Sequence, residues 1–295
     1  MKHSLSYYIT LLILKLMRAK SHFSKDPIDL KLFRKNDLHT LDSGFFKKHR
    51  LEKFKVLDTH ITATGTNSDA DKLIIFIHGG AFISGPGLHH WQTMKEMAQQ
   101  TNQIVWLCDY PKAPENQIGT ISENIDATYH KALEKFKPSN ICLIGDSVGG
   151  LLITALVQRL IRQHKAVPKK IILVTPVMDS SMSNPDIEKL EAKDPILAKK
   201  GVLSAKKMCS GALDLQDPMI SPLYGSFEGF PPTTLLLAQR DIMYPDGKLA
   251  AAKLEKAAVQ LQVIDEVGMP HIWPFLPVMK EGKQALKQII STLKV

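Results

Sequence analysis

The stretch ICLIGDSVGG, at residues 141–150, decides the fold. Its first four residues are apolar and predict a buried strand, and the amphipathic stretch Val148 to His164 predicts a helix directly after it. Ser147 lies between them, flanked by Gly145 and Gly149. A serine on so tight a strand-to-helix turn has strained backbone angles and projects its hydroxyl from the sheet edge. The glycines are expected because larger side chains would hold the strand and the helix apart.

The same alternation of apolar strands with longer amphipathic helices continues on both sides of this stretch, and it is typical of a mostly parallel sheet flanked by helices. The predicted strands are Phe54–Ala63, Leu73–Ile77, Ile104–Cys108, Ile141–Ile144, Lys170–Val174, Thr234–Ala238 and Leu261–Asp265. The predicted helices are Leu88–Gln100, Ile118–Phe136, Val148–His164, Gly247–Val259 and Pro277–Leu293. The sequence therefore predicts an α/β fold.

The composition is that of an ordinary globular protein. Of the 295 residues, 44% are hydrophobic and 23% are charged, so a large core can be buried. The three cysteines, Cys108, Cys142 and Cys209, cannot all pair, and no CxxC or clustered His/Cys spacing occurs. We therefore expect a cytoplasmic protein without a disulfide framework, metal or other cofactor.

The positive charge is concentrated near the N-terminus. The chain has a net charge of +9, and residues 1–60 hold 13 Lys and Arg against 6 Asp and Glu. No zinc finger, recognition-helix pattern or RNA-binding aromatic signature accompanies this charge. The basic segment therefore predicts a solvated surface, and no nucleic-acid partner is expected.

The first 20 residues contain a short apolar stretch. The run Ser4 to Leu14 has 11 uncharged residues, fewer than the ~20 that a membrane-spanning helix needs, and no small-x-small cleavage site follows. Apolar residues at helical spacing predict a helix whose apolar face packs on its own protein. The alternative is reversible contact of this basic segment with an anionic membrane surface. The residues of the predicted face are Leu5, Tyr8, Ile9, Leu12 and Leu16.

A second glycine-rich turn follows the apolar run LIIFI. Residues 78–82 read HGGAF, and such a turn can aim backbone N–H groups at a developing oxyanion. Each such donor contributes roughly 3 to 4 kcal/mol in a transition state. The alternative is an ordinary tight turn with a structural histidine, but its position upstream of the serine turn favours the first interpretation.

At these two motifs the sequence resembles the α/β-hydrolase superfamily, and more narrowly its hormone-sensitive-lipase-like branch of esterases and lipases. The resemblance extends from about residue 70 onward. It implies an α/β-hydrolase catalytic domain at residues 46–295, with a helical cap formed by residues 1–45 and by an insertion at residues 180–215. The supporting stretches are DYPKAPE at 109–115, similar to the family's DYRLAPE, PVMD at 176–179, SPLY at 221–224 and FPP at 230–232.

The resemblance assigns Ser147 as the nucleophile, followed along the chain by an acid and a base. The residues agree, because a serine hydroxyl needs a histidine to accept its proton and a carboxylate to fix that histidine. Asp241 lies just after the predicted strand TLLLA, and His271 lies in the loop after the next strand. The alternatives are Asp246 as the acid, which more typically begins the following helix, and a structural role for His271.

The resemblance also places backbone donors of an oxyanion hole at Gly80, Ala81 and Val148. The family usually has three glycines after the motif histidine, whereas here the third is Ala81, which keeps its N–H but adds a methyl group. This difference puts the substrate size in doubt and leaves the reaction type unchanged. DYPKAPE also lacks the family's arginine. The residues that support the two motifs are His78, Gly79, Gly145 and Gly149.

The sequence thus predicts a serine carboxylesterase that hydrolyses short- to medium-chain esters through an acyl-enzyme, with a small-molecule ester as its partner. An acyltransferase or amidase with the same triad is an alternative, because nothing in the sequence separates water from another acceptor. A ligand-binding protein on a hydrolase scaffold is a second alternative, although such proteins typically lose a triad member. The sequence does not predict the oligomeric state.

Overall fold

A central sheet organises the computed structural model, which describes residues 3–41, 43–46, 50–65 and 71–294. Eight strands in these ranges follow the order β1-β2-β4-β3-β5-β6-β7-β8. The pairs β1–β2 and β2–β4 are antiparallel, and the other pairs are parallel. The strands are β1 (Arg50–Val56), β2 (Thr59–Gly65), β3 (Leu73–Ile77), β4 (Ile104–Asp109), β5 (Ile141–Asp146), β6 (Lys170–Val174), β7 (Thr233–Ala238) and β8 (Leu261–Glu266).

Helices cover both faces of the sheet, so that α4 and α10 contribute to one apolar core and α5, α6 and α9 to the other. The predicted α/β fold with a mostly parallel sheet is therefore confirmed. The helices are α1 (Leu5–Leu16), α2 (Ala19–His22), α3 (Leu30–Arg34), α4 (Leu88–Thr101), α5 (Ile118–Leu133), α6 (Val148–Arg162), α7 (Asp186–Glu191), α8 (Lys199–Ser210), α9 (Tyr244–Lys256) and α10 (Lys280–Lys294).

The unbroken apolar strands reflect burial on both faces. In β3, Leu73, Ile75 and Ile77 pack into the core of α5 and α6, while Ile74 and Phe76 pack into the core of α4 and α10. Successive side chains of a strand point to opposite faces, so a strand covered on both sides is apolar throughout.

The prediction of a single strand at Phe54–Ala63 is wrong, because the chain reverses within this range. Val56 pairs with Thr59 at the end of an antiparallel β1–β2 hairpin. Leu57 adopts a positive φ of 48° in the turn, and the N–H of Asp58 donates to Asn124 Oδ1 at 2.8 Å. The apolar positions change phase at this turn, from Phe54 and Val56 to Ile61 and Ala63, which a single strand does not explain.

The predicted N-terminal helix is present as α1, but the prediction that its apolar face packs on the protein is wrong. Leu5 and Leu16 are 75% and 73% exposed, whereas Tyr7 and Thr10 on the opposite side are buried. The Tyr7 hydroxyl donates to the carbonyl of Gly268 at 2.8 Å, so a polar contact helps to orient the helix. None of the helices within the described residues has the length and hydropathy needed to cross a membrane.

The two predicted cap segments contact each other. The inserted segment contains α7 and α8, and the chain between α1 and α3 runs along α8. The N–H of Gly201 donates to the carbonyl of Phe23 at 2.7 Å, and the N–H of Ile28 donates to Ser204 Oγ at 3.1 Å. These hydrogen bonds join residues that are far apart in the sequence.

Candidate active site

Ser147 occupies a strained turn between β5 and α6. Its φ is +53°, in the region that favours glycine, and its N–H donates to the carbonyl of Val174 at 2.9 Å. A Cβ atom at Gly149 would lie 2.0 Å from the carbonyl oxygen of Ile77, and one at Gly145 would lie 2.6 Å from the carbonyl carbon of Gly149. The close approach of strand and helix thus requires both glycines, as the sequence predicts.

His271 and Asp241 form a buried pair at the same edge of the sheet. Asp241 follows β7, His271 follows β8, and His271 Nδ1 lies 2.6 Å from Asp241 Oδ2. Burial lowers the pKa of His271, but nearby carboxylates, Asp241 above all, raise it and hold the pKa above its ordinary 6.5. The alternative acid, Asp246, lies in the first turn of α9 and accepts a hydrogen bond from Asn184 Nδ2 at 2.9 Å.

Ser147 and His271 line one cavity of about 730 Å³. The carboxyl ends of parallel strands meet at this edge, where crevices form in open α/β sheets. The N-terminal segment and the insertion supply much of the apolar wall. Their apolar lining residues are Met17, Phe23, Phe33, Leu38, Ile196, Leu197 and Val202.

The glycine-rich turn after β3 lines the cavity beside Ser147. Gly80 has a φ of +117° and Ala81 one of +54°, so the alanine has adopted the left-handed conformation that glycine favours. The N–H groups of Ile83 and Ser84 donate to the carbonyl of Gly80 at 3.0 and 3.1 Å. Across the described part of the chain, no protein acceptor pairs with the N–H of Gly80 or Ala81.

Val148 is the first residue of α6 and also lines the cavity. Its N–H likewise has no carbonyl partner within the described ranges. The first N–H groups of a helix lack intrahelical acceptors and are suited to binding negative charge. The turn after β3 and the start of α6 therefore both present donors to the cavity that contains Ser147.

Asp146 ties the two turns together, a role that was not predicted from the sequence although the residue lies inside the serine motif. The N–H of Gly79 donates to Asp146 Oδ1 at 3.0 Å, and His90 Nε2 lies 3.4 Å from Asp146 Oδ2. Burial opposes ionisation of Asp146, but His90 and the Gly79 amide outweigh it and hold its pKa below 3.8. A sequence pattern gives no signal for these contacts because the partners belong to separate elements.

Tyr110 holds His78, the first residue of the glycine-rich turn. The Tyr110 hydroxyl donates to the carbonyl of His78 at 2.9 Å, and the two rings stack with 4.6 Å between their centroids. Burial holds the pKa of His78 well below 6.5. His78 is therefore neutral and supports the turn from within the core.

Two cations contact the DYPKAPE segment, one from within it and one from the N-terminal segment. Lys112 Nζ donates to Asp109 Oδ1 at 2.8 Å and lies 4.2 Å from the centroid of the Tyr110 ring. A guanidinium reaches this segment from elsewhere, because Arg34 pairs with Glu115 at 2.7 Å. The N-terminal segment is thus fixed to the segment that follows β4.

Asp194 is a second carboxylate beside the histidine pair that the sequence analysis did not identify. It is buried in the insertion, and its side chain accepts the N–H groups of Ile196, Leu197 and Ile242 at 2.8, 2.9 and 2.9 Å. Burial and the neighbouring Asp241 raise the pKa of Asp194 to about 7. Asp194 therefore links the insertion to the loop that carries Asp241.

Metal or cofactor binding has no support from clustered ligands. Among the side chains that the structure describes, no group of three or more His, Cys, Asp or Glu residues could hold a metal ion. The expectation that the protein needs no metal or cofactor stays a prediction.

Comparison with known proteins agrees with this fold and site. The family model for the alpha/beta hydrolase fold matches residues 74–275. The chain therefore belongs to the α/β-hydrolase fold family, within its esterase and lipase group. An esterase of Acinetobacter venetianus is 31% identical over 225 residues, which cover 75% of this chain and 74% of that protein.

Solved structures give the same assignment. A Staphylococcus aureus protein assigned as an esterase is 29% identical, with a TM-score of 0.86 over 94% of this chain and 96% of the other. An esterase from the bacterial hormone-sensitive lipase family is 24% identical, with a TM-score of 0.87 over 100% of this chain and 99% of the other. That last likeness concerns the fold. The resemblance to the α/β-hydrolase superfamily and its esterases, which the sequence motifs indicated, is confirmed.

Proposed function

We propose that this protein is a serine carboxylesterase in which Ser147, His271 and Asp241 hydrolyse carboxylic esters through an acyl-enzyme. One observation carries the proposal: the 2.6 Å contact between His271 Nδ1 and Asp241 Oδ2 lies beside the cavity that Ser147 enters from its strained turn. A hydroxyl becomes a good nucleophile only when a base accepts its proton. His271 is that base.

The reaction begins when Ser147 Oγ attacks the ester carbonyl carbon and His271 Nε2 accepts the hydroxyl proton. The carbonyl oxygen becomes an oxyanion, which the N–H groups of Gly80, Ala81 and Val148 bind. The C–O bond to the alcohol then breaks, and the His271 proton passes to the leaving oxygen. A water molecule, deprotonated by His271, attacks the acyl-enzyme, and Ser147 regains its proton as the acid leaves.

Asp241 acts through the histidine. Its carboxylate accepts a hydrogen bond from Nδ1–H, which keeps the proton on Nδ1 and leaves the lone pair of Nε2 free to face the serine. The same charge stabilises the imidazolium that forms during acyl transfer, in line with the raised pKa of His271. The N–H of Met243 donates to Asp241 Oδ1 at 2.8 Å and restrains the carboxylate.

We propose that the substrates carry short- to medium-chain acyl groups, and the size of the cavity is consistent with this. Its volume of about 730 Å³ lies within the range of small-molecule sites. We propose that residues 1–45 and 180–215 act together as a cap over the catalytic domain at residues 46–295, which the hydrogen bonds between the two segments support. The Ala81 methyl group lines the same cavity and narrows the space beside the oxyanion donors.

We propose a cytoplasmic location because of the state of the three cysteines. Cys108, Cys142 and Cys209 are all unpaired and buried, which is the usual state of cysteine in reducing compartments. The absence of a nucleic-acid partner stays a prediction.

The proposal is tested by comparing the wild type with Ser147→Ala on p-nitrophenyl acetate, butyrate and longer esters. We expect the variant to lose several orders of magnitude in kcat and to stop reacting with a fluorophosphonate probe, while its circular dichroism is unchanged. Ser226→Ala, at an exposed serine outside the cavity, should retain both activities.

Two results would contradict the proposal. Turnover and labelling that persist in Ser147→Ala would remove the serine from the mechanism. A wild-type protein that neither hydrolyses esters nor reacts with the probe would favour a ligand-binding role on a hydrolase scaffold.

A further inference from the structure

Helix α1 exposes a continuous apolar face. Its exposed large apolar side chains range from 38% to 75% accessible, and the buried Tyr7 and Thr10 lie on the other side of the helix. Single exposed apolar residues are common, but a contiguous set marks an interaction surface. We call this set the α1 face: Leu5, Tyr8, Ile9, Leu12, Ile13, Leu16 and Met17.

The protein holds α1 in place from behind. The N–H and Oγ of Ser4 donate to Glu281 Oε1 and Oε2 at 2.7 and 2.8 Å, which fixes the start of α1 to α10. Tyr7 is bound to the carbonyl of Gly268 and accepts a hydrogen bond from Arg240 at 3.1 Å. These contacts orient the helix so that its polar side is buried and the α1 face is presented outward.

The chain that forms and follows α1 carries only positive charges as far as residue 25. Residues 3–25 contain four Lys and Arg and no Asp or Glu. Lys15, Arg18 and Lys25 are exposed. A helix with an apolar face and cationic flanks binds at the interface of an anionic bilayer, where apolar side chains enter the headgroup region and cations meet lipid phosphates.

The α1 face is also continuous with the candidate active site. Met17, at its C-terminal end, lines the cavity that contains Ser147 and His271. Phe23 and Phe33 extend this apolar lining from the same N-terminal segment. An apolar molecule at the α1 face therefore meets apolar side chains on its way to the nucleophile.

We propose that α1 docks the rim of the cavity onto an anionic lipid bilayer and that esters dissolved in the bilayer enter the cavity past Met17. The docking stands on the α1 face and its charges alone, and the entry of esters rests on the proposed function. A second copy of this chain is the alternative occupant of the α1 face, and the sedimentation experiment below distinguishes it from a bilayer.

Flotation of the purified full chain with vesicles tests the docking. We expect binding to vesicles of mixed phosphatidylcholine and phosphatidylglycerol at low salt, and much weaker binding to phosphatidylcholine alone. Leu12→Ser combined with Leu16→Ser should weaken binding roughly tenfold or more, because two large apolar groups no longer enter the bilayer. Leu213→Ser combined with Leu249→Ser, at other exposed leucines, should bind like the wild type.

The charge contribution is measured separately. Lys15→Gln combined with Arg18→Gln should weaken binding to the anionic vesicles severalfold, whereas Lys256→Gln combined with Lys287→Gln, at exposed lysines outside α1, should not. Hydrolysis of water-soluble p-nitrophenyl acetate should be equal in the wild type and the Leu12 and Leu16 variant, which shows that the variant is folded.

Three results would overturn the docking. The first is that the wild type does not bind vesicles at low salt. The second is that the Leu213 and Leu249 control loses as much binding as the Leu12 and Leu16 variant. The third is that the wild type forms a dimer in sedimentation velocity, which the Leu12 and Leu16 variant does not form, while vesicles bind neither protein. Ser147→Ala should float like the wild type, so a failure of the proposed catalysis is distinguished from a failure of docking. If the Leu12 and Leu16 variant hydrolyses p-nitrophenyl acetate and vesicle-borne esters both at the wild-type rate, the entry of esters from the bilayer past Met17 is overturned.

Discussion

Asp194→Asn tests how the insertion is joined to the candidate active site. Asp194 accepts hydrogen bonds from three backbone N–H groups. One of these donors is Ile242, the residue that follows Asp241 in the sequence. In the variant, the amide oxygen can replace one carboxylate oxygen, but the amide nitrogen cannot accept the Ile242 N–H. Leaving that buried donor without a partner costs about 1 to 3 kcal/mol.

The variant also removes a charge that the folded protein destabilises. Since burial and Asp241 raise the pKa of Asp194 from 3.8 to about 7, the folded protein binds this proton more tightly than the unfolded chain does. Stability from this group is fully present below about pH 4 and is lost as the pH rises through about 7. With about 1.4 kcal/mol for each pKa unit, the wild type loses roughly 2 to 3 kcal/mol from this group between about pH 5 and about pH 8.

Urea denaturation of both proteins at the two pH values measures the effect. Asp194→Asn should be less stable than the wild type at the lower pH, by about the cost of the lost acceptor. At the higher pH the difference in unfolding free energy should move in favour of the variant by roughly 2 to 3 kcal/mol. A difference that is the same at both pH values would refute the argument, because Asp194 would then carry its charge in the folded protein without strain.

Further predictions concern the histidine and the glycines. Because carboxylates hold the pKa of His271 above 6.5, kcat/KM should fall as the pH drops through that pKa and the base becomes protonated; a flat pH profile over the acid range would contradict this assignment of the base. Asp241→Asn should lower kcat by roughly 10⁴-fold. Gly149→Ala places a Cβ atom 2.0 Å from the Ile77 carbonyl oxygen and should lower the unfolding free energy by about 1 to 3 kcal/mol. At the control position Gly119 a Cβ atom would meet nothing within 4 Å, so Gly119→Ala should be neutral or stabilising in thermal unfolding.

The sequence predicts the fold best where burial is complete. A strand such as β3 is apolar along its whole length because both of its faces are covered. Its short length and its isoleucines favour a strand over a buried helix. The β1–β2 hairpin is predicted less well because β1 lies at the sheet edge, where its residues are exposed or half-buried. Its turn contains Asp58 but no glycine, proline or asparagine, so the sequence signal for a reversal is weak.

The sequence reveals site residues to the extent that a local pattern constrains them. Ser147 has flanking glycines that the tight turn requires, and Asp241 and His271 are brought together because parallel strands end at one edge. Asp146 and Asp194 have no comparable pattern. Their roles depend on which backbone N–H groups and which other carboxylates lie near them, and these neighbours come from separate segments of the chain.

The orientation of α1 illustrates a limit of helical periodicity. Spacing identifies which residues share a face of a helix, but it does not show whether that face packs against the protein or is exposed. Tyr7 is directed inward because its hydroxyl reaches the Gly268 carbonyl in the loop that leads to His271, while its ring packs into the core beside α10. With Tyr7 inward, the apolar residues on the other side of the helix point outward. The contacts of Tyr7 with Gly268 and of Ser4 with Glu281 together orient α1, so that the α1 face lies outward while Met17 lines the cavity.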